Sequence, residues 1–280
     1  PGGRYASKRK EQDCVEFLSG IVEGKTTGAS IELSIENQDA KSKDYNFLPH
    51  HPRPGHQDMV MHKRTKGEAD LRGGGMSSAR LTAPLVAAAA FVAPLLAPLG
   101  IKAEAQVGAI GNVEAGEMEH QPARWSTEAC KEMRCRDPDA AEAMVNLVES
   151  QRMNLNSIGS RVDLIVTGTP LGLGEPWFDG IEPAMARAMM SIPAARGVTF
   201  GRGFNVVNMT GLEHNDAWGG SPESPTPLGE RPDGVLAGLA TSAPIRCSVA
   251  FKPPSSIASE QKTLHLESGA IEPLTALRRC

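Results

Sequence analysis

Aromatic side chains are scarce in this chain of 280 residues, where they make up only 4%. Hydrophobic residues nevertheless account for 40%, so a core must rest on aliphatic side chains and the 11 methionines. The formal net charge is only −4, which excludes the overall basic field expected of a nucleic-acid-binding protein. The basic cluster at residues 62–66 has no aromatic neighbours for base stacking. We therefore predict that the protein has no nucleic-acid partner.

Cysteines are also few, and their spacing does not define a zinc site. Cys130 and Cys135 lie close together in the sequence, but no second pair completes a set of metal ligands. We expect free thiols in a reducing cytoplasm, and no metal site. The chain begins PGGRYASKRK, without methionine or an apolar leader. We interpret this beginning as that of a fragment without a signal peptide.

One long uncharged run occupies residues 83–100. It is slightly shorter than the roughly 20 residues of a transmembrane helix. It also contains Pro84, Pro94 and Pro98, which bend or break helices. The run predicts a buried, kinked central helix that begins at Ser77 or Ser78, each a favourable N-cap residue. We therefore expect no membrane partner.

Strand and helix patterns are interspersed without a regular βαβ repeat, which favours an α+β layered fold. We expect a single domain over residues 1–280, with the first two predicted strands forming an antiparallel pair. The predicted strands are 15–22, 29–37, 101–113, 160–170, 197–204, 205–211 and 244–253. Two further helices are predicted at 137–152 and 180–192, and loops or irregular segments at 38–76, 114–136 and 219–234.

The segment at residues 53–80 is the most informative part of the chain. It opens with RPGHQD and closes with RGGGMSSAR. Glycines allow the backbone to approach a ligand, serine hydroxyls and free N–H groups donate to phosphate oxygens, and arginines supply fixed charge. The combination predicts a binding site for a phosphate-bearing anion.

Four segments occur in one order and at consistent spacing. They are RPGHQD, RGGGMSSAR, GLGEPWFDGIEPAMARAMMSIPAARGVTFGRGF and VAFKPPSSIASEQKTL. In these segments the chain resembles the chorismate synthase family, from its first residue to about Leu274. The resemblance implies a β-α-β sandwich with antiparallel sheets and a central hydrophobic helix. It also implies a cytoplasmic homotetramer.

The resemblance further implies a lyase of the shikimate pathway, which leads to the aromatic amino acids. This enzyme converts 5-enolpyruvylshikimate 3-phosphate to chorismate and phosphate by an overall anti 1,4-elimination. The implied cofactor is reduced FMN, with NADPH as a candidate reductant. The alternative is a non-catalytic relic of the same fold that binds a flavin or a phosphate-bearing ligand.

Candidate site residues follow from the positions that match the family motifs. His56 resembles the histidine that stabilises the charge of the reduced flavin or passes it a proton, a task that suits imidazole near neutral pH. Its alternative is a hydrogen-bonded structural role. Arg4, Arg53 and Arg80 resemble clamps on the anionic groups of the substrate, and their alternative is a solvated surface position. The implied cofactor contacts are Ser77, Ser78, Ala194, Ala237, Lys252, Pro253, Pro254, Ser255 and Ser256.

The chain also departs from the family pattern. The motifs G-E-S-H-G and G-R-H-D-P, which lie near the two ends of the family, are absent from these 280 residues. We expect the encoded protein to contain them, and the 280 residues alone to lack turnover. Within the matched segments Met76, Leu81, Pro254 and Ala237 stand where the family usually has other residues.

Overall fold

The computed structural model describes residues 4–5, 12–38, 42–72, 78–122 and 125–276. Its strands, in chain order, are β1 (Val15–Ser19), β2 (Ile21–Val22), β3 (Lys25–Thr26), β4 (Glu32–Ile35), β5 (Lys102–Ile110), β6 (Val113–Glu114), β7 (Ser160–Thr167), β8 (Ala195–Phe200), β9 (Ala217–Ser221), β10 (Ser224–Leu228), β11 (Val235–Leu236), β12 (Leu239–Ala240), β13 (Ile245–Phe251), β14 (Gln261–Leu264) and β15 (Ile271–Leu274). Its α-helices are α1 (Asp58–Arg64), α2 (Thr82–Leu96), α3 (Glu128–Met133), α4 (Pro138–Met153), α5 (Ile181–Met190) and α6 (Gly211–His214).

The described residues fall into two compact units. The first unit lies within residues 1–92, 151–157 and 254–280, and the second within residues 93–150 and 158–253. The first unit contains three antiparallel pairs, β1–β4, β2–β3 and β14–β15. The second contains a five-stranded antiparallel sheet in the order β6-β5-β7-β13-β8 and the hairpins β9–β10 and β11–β12. Mixed helices and antiparallel sheets confirm the predicted α+β class.

The five-stranded sheet has one apolar and one polar face, because side chains alternate along each strand. On the apolar face Cys247 and Val249 of β13 form a buried core cluster with Ala195. Met185 and Met189 of α5 pack against this cluster. Burial of such aliphatic and sulfur-containing side chains contributes stability in proportion to the apolar area removed from water. Phe200 and Phe251, two of the few aromatic residues, also pack against the cluster.

Helix α2 forms where the sequence predicts it, but the predicted burial is wrong. Together with its flanking 3-10 turns, the helix extends over the 21 residues Ala79–Leu99, and none of its residues is buried. Leu85, Val86 and Leu95 are each 60% or more exposed. In length and composition it meets the requirements of a membrane-spanning helix. A helix that is apolar on all sides is unfavourable in water and is expected to pack against another surface. Its sequence does not specify which surface that is.

Two predictions of secondary structure are wrong in the second unit. Residues 205–211, predicted as a strand, fall largely within a 3-10 helix at Gly203–Asn208. The predicted loop at 219–234 instead contains most of the hairpin β9–β10, in which Pro225 and Pro227 lie in β10. A proline is tolerated in such a strand when its missing N–H is on the unpaired edge. Its presence therefore does not exclude a strand.

Short helices also lie in segments predicted as irregular, namely α1 within 38–76 and α3 within 114–136. The prediction of free thiols is confirmed for Cys14, Cys130, Cys135 and Cys247. Cys280 lies outside the described residues.

Candidate active site

The first unit places Arg53 and His56 around one buried carboxylate, that of Asp58. Arg53 donates from Nε to Asp58 Oδ2 at 2.7 Å and from Nη2 to Oδ1 at 2.8 Å. The backbone N–H of Arg53 donates to Oδ2 at 3.0 Å. His56 Nδ1 lies 2.6 Å from Oδ1. Asp58 is 1% exposed and is the first residue of α1, so the chain turn from Arg53 to the helix closes around its carboxylate.

Electrostatics fix the protonation state of this cluster. Burial alone would raise the pKa of the Asp58 carboxyl, but hydrogen bonds from Arg53 and His56 outweigh burial and hold that pKa well below its usual value. The ionised carboxylate can only accept hydrogen bonds, so the short contact with Asp58 assigns the proton to His56 Nδ1. The 3.1 Å approach of Arg53 Nη2 to the same nitrogen is then a contact without a hydrogen bond. The free nitrogen of His56 is therefore Nε2. The His56 side chain is 26% exposed, so a ligand can reach it.

Part of the KPPSS segment lies against the turn that carries His56. Gly55 has φ of +67°, and a Cβ atom added there would lie 3.3 Å from Ser255 Cβ. The Thr263 hydroxyl donates to the carbonyl of Pro52, which ties β14 to the same turn. Ser256 is buried at 8% exposure. Within the first unit, Ser255 therefore lies beside the turn that carries His56, the predicted catalytic residue.

Arg80 is engaged by protein groups. Its Nη2 lies 2.7 Å from Asp13 Oδ1 and donates to the Glu36 carbonyl at 3.0 Å. Ser78 Oγ accepts from the backbone N–H of Arg80 at 3.2 Å, which makes Ser78 the N-cap of the 3-10 turn before α2. A substrate anion that binds Arg80 would have to share its guanidinium with Asp13.

Two further predicted site residues are Arg4, a candidate substrate contact, and Ser77, a candidate cofactor contact. Arg4 is exposed, with its guanidinium carbon 5.3 Å from the centre of the Tyr5 ring. Ser77 lies outside the described residues.

In the second unit, Ala194 and Ala237 are both exposed and adopt left-handed backbone conformations, with φ of +73° and +52°. Such conformations are unfavourable for alanine and often mark a backbone held in place at a functional site. Ala194 accepts a hydrogen bond from the Lys252 N–H at 3.0 Å near the end of α5. Gly238, next to Ala237, accepts from the N–H of Ile181 at the start of α5.

These contacts put Ala194 and Ala237 at opposite ends of α5. This helix has 10 residues and is therefore about 15 Å long. A single ligand that contacts both alanines must extend over a comparable length. Lys252 is half-buried and Pro253, which follows it, is exposed.

A cavity of about 370 Å³ lies beside the five-stranded sheet in the second unit, and no predicted site residue lines it. Three of the four arginines that line it, namely Arg161, Arg231 and Arg246, pair with acids. Arg161 pairs with Asp163 at 2.8 Å, and Arg246 Nε donates to Glu119 at 2.8 Å. Cys247 also lines it, but burial, followed by the nearby Asp163 charge, raises the pKa of its thiol to about 11. These ion pairs therefore offer no unpaired positive charge to a polyanion. The raised pKa of Cys247 means that the cavity offers no thiolate nucleophile.

Comparison with known proteins gives the family of the chain. The family model for chorismate synthase matches residues 1–279. The chain belongs to the chorismate synthase family. Chorismate synthase of Aeropyrum pernix is 43% identical over 272 residues, which are 96% of this chain and 71% of that protein. Chorismate synthase of Methanosarcina mazei is 39% identical over 267 residues, 95% of this chain and 73% of that protein.

A solved structure also matches the fold. A crystal structure of chorismate synthase has a TM-score of 0.67 and 27% sequence identity, and the match covers 86% of this chain and 72% of that one. The resemblance stated from motifs is thus confirmed over nearly the whole chain.

Asp58 pairs with both Arg53 and His56, but the sequence alone did not identify it as a candidate. It stands two positions after His56 in the quoted motif RPGHQD, next to the start of a helix. An acid that close to a histidine is a signal for a hydrogen-bonded pair that fixes the tautomer of the ring. The acid was not assigned because sequence spacing in a turn does not specify which side chains face each other.

The Asp58 cluster predicts a specific pH dependence of stability. Because the folded-state pKa of Asp58 is lowered, its contribution is fully present above the unfolded pKa near ~4 and is lost as the pH falls towards the folded pKa. We expect Asp58→Asn to lower the free energy of unfolding at pH 7 by about 3–5 kcal/mol, since it leaves Arg53 buried without its anion. We also expect the difference between wild type and variant to shrink below pH 4. Urea unfolding at several pH values measures both.

The matched control is Asp70→Asn. Asp70 also pairs with an arginine, Arg72, at 2.6 Å, but both side chains are more than half exposed. Exposed pairs contribute little, so this variant should remain close to wild type. Equal losses in the two variants, or an unchanged stability of Asp58→Asn, would contradict the assignment of a buried ionic cluster.

Proposed function

We infer that the protein is a lyase that converts 5-enolpyruvylshikimate 3-phosphate to chorismate and phosphate. The reaction is an overall anti 1,4-elimination in the shikimate pathway, which supplies aromatic amino acids. Membership of the chorismate synthase family over residues 1–279 carries this conclusion. No observation on the described residues favours the alternative, a non-catalytic relic of the fold.

We propose that His56 is the catalytic proton carrier of the first unit. Its Nδ1–H donates to Asp58, so Nε2 is the nitrogen that can accept or return a proton at a bound ligand. Asp58 is a positioning residue, because it acts through His56. It also stabilises positive charge on the imidazole when Nε2 is protonated. Arg53 holds Asp58 through both of its oxygens, and its side chain is 5% exposed.

The proposed substrate contacts are Arg4, Arg53 and Arg80. The substrate carries a phosphate and two carboxylates, which guanidinium groups bind through paired hydrogen bonds. Arg4 is the exposed member of the three, whereas Arg80 is held by Asp13 and Arg53 by Asp58. We propose that Arg80 shifts towards the substrate when a stronger anion competes with Asp13.

The residues proposed to contact reduced FMN fit that group by their chemistry. Ala194 and Ala237 are small and exposed and present backbone in left-handed turns, which permits close approach of a flat ring. Gly238, which follows Ala237, has no room for a side chain, since an added Cβ would lie 2.4 Å from the Glu175 carbonyl. Lys252 supplies positive charge. The remaining proposed contacts are Pro253 of the second unit and Ser78, Pro254, Ser255 and Ser256 of the first.

When bound, reduced FMN supplies electron density to the substrate during loss of phosphate and recovers it afterwards. The role of the protein is to bind the anionic substrate and the flavin and to hold the His56 imidazole in one tautomer. NADPH is the proposed source of the electrons that reduce the flavin.

We further propose a cytoplasmic homotetramer without a membrane partner. Helix α2 is exposed and apolar, and Phe17 and Leu18 of β1 and Val22 of β2 are exposed as well. A soluble protein rarely leaves such apolar surface in water. Phe17 of β1 and Phe91 of α2 are already in contact, with ring centres 6.2 Å apart. Copies of the same chain are the proposed cover.

Replacement of His56 tests the catalytic proposal. We expect His56→Ala to lower the turnover number by about 10²–10⁴-fold, the usual contribution of a general acid–base group. KM and the Kd for FMN should change little. The measurement is anaerobic chorismate formation by the full-length encoded protein with dithionite-reduced FMN, beside equilibrium FMN binding. An arm with NADPH and no dithionite tests the proposed reductant.

His62→Ala is the matched control, because His62 lies in the adjacent helix α1 and has no proposed role. Its turnover should equal that of wild type. Wild-type turnover in His56→Ala would remove His56 from the catalytic machinery. Binding of FMN without any chorismate from the wild-type protein would instead support the non-catalytic alternative.

The oligomer proposal predicts a mass of four chains by light scattering. Leu85→Glu combined with Leu95→Glu places charge on two exposed positions of α2 and should shift the protein to smaller species, since charge is costly in an apolar interface. Met153→Glu, at a residue that is 71% exposed outside α2, is the control and should leave the mass unchanged. A wild-type monomer in solution would contradict the proposal.

A further inference from the structure

Three histidines and two glutamates converge in the first unit, outside the residues proposed for catalysis. His50 and His51 precede the turn that carries His56, and His265, Glu267 and Glu272 lie in or beside the β14–β15 hairpin. The sequence separation between His51 and Glu272 is 221 residues. Only the fold brings these side chains together.

The backbone holds the two segments in register. The N–H of Leu266 donates to the His50 carbonyl at 2.9 Å, and the Thr263 hydroxyl donates to the carbonyl of Pro52. The cluster therefore does not depend on mobile side chains alone to assemble. A ligand that bridges the segments finds them already positioned, which lowers the entropic cost of binding.

The donor atoms are close to coordination distance. One donor atom each from His51, His265 and Glu272 lies within 4.8 Å of the others, and all three residues are partly buried. His51 Nε2 and Glu272 Oε2 are 2.8 Å apart, and the His51 and His265 ring centres are 4.7 Å apart with nearly perpendicular planes. Metal–ligand bonds near ~2.1 Å place donors roughly 3.4 Å apart in a tetrahedral site. Small side-chain rotations would achieve this.

We propose that His51, His265 and Glu272 bind a divalent transition-metal ion of the Zn²⁺ class. Two imidazoles and one carboxylate form a familiar ligand set for Zn²⁺, with a fourth position left for water. Hard ions such as Mg²⁺ prefer oxygen ligands and are disfavoured here. His50 and Glu267 form a second group of candidate ligands with the same His265, but their side chains are more exposed, which makes them the weaker pair of donors.

Metal binding would replace two existing hydrogen bonds, the one between His51 Nε2 and Glu272 Oε2 at 2.8 Å and one to His265. The Ser268 N–H donates to His265 Nδ1 at 3.2 Å. A ring that binds a metal through one nitrogen carries its proton on the other, so Nδ1 cannot remain an acceptor in either case. This contact lies in an exposed turn, where water can satisfy the freed N–H.

The ion would help to position His56 and would take no part in the chemical step. It would link the β14–β15 hairpin to residue 51, two positions before Arg53, and so stabilise the turn that orients His56. Because the metal binds the folded arrangement and not the unfolded chain, it should raise the Tm in a concentration-dependent way.

The test is a titration of the metal-free, tag-free full-length protein with Zn²⁺ by calorimetry and with Co²⁺ by visible absorption. We expect one equivalent per chain, a Co²⁺ spectrum of low coordination number and a higher Tm. His265→Ala should weaken binding by more than the 10–100-fold that loss of an outer-shell partner costs. Glu272→Gln, which preserves shape, tests the same site if His265→Ala does not fold.

His120→Ala is the matched control, because His120 is exposed and also lies beside a glutamate, Glu117, at 3.8 Å. This variant should bind like wild type. The absence of saturable binding would overturn the proposal. So would binding that survives in both His265→Ala and Glu272→Gln, or that is lost in His120→Ala. His50→Ala should retain one equivalent, and complete loss in that variant alone would assign the ion to the His50 pair instead.

Discussion

The ionised carboxylate of Asp58 is the constraint on which the proposed site depends. It is buried, yet it stays charged because Arg53 donates to both of its oxygens and His56 donates to one of them. An unpaired charge in this position would be strongly unfavourable, so the three residues form one unit. The same carboxylate sets the direction in which the His56 imidazole presents its reactive nitrogen. In the proposed site, the structural ion cluster and the catalytic geometry are therefore the same feature.

Local sequence patterns predicted much of the fold. Strands β7 and β13 and helix α4 were predicted within a few residues, because each has a clear period of its own. The exposure of α2 could not be predicted in this way. Because its surface is apolar on all sides, the sequence does not show whether residues of the same chain or of another chain pack against it. The β9–β10 hairpin was missed because its prolines and glycines also fit a loop.

The site was predictable only as far as its motifs extended. RPGHQD and KPPSS identified two segments, and the first unit places His56 and Ser255 close to one turn. Asp58 was hidden within the same motif, because pairing in a turn depends on backbone geometry. The histidine–glutamate cluster around His265 was invisible for a different reason. Its members are distant in sequence, and no local pattern links them.

The most direct test of the Asp58 constraint is the tautomer of His56, read from long-range ¹H–¹⁵N correlations of histidine-labelled protein at neutral pH. A neutral ring with its proton on Nδ1 and a bare Nε2 is the predicted result. In Asp58→Asn the preference for this tautomer should weaken. A wild-type ring with its proton on Nε2, or one that exchanges freely between tautomers, would contradict the claim that Asp58 orients His56.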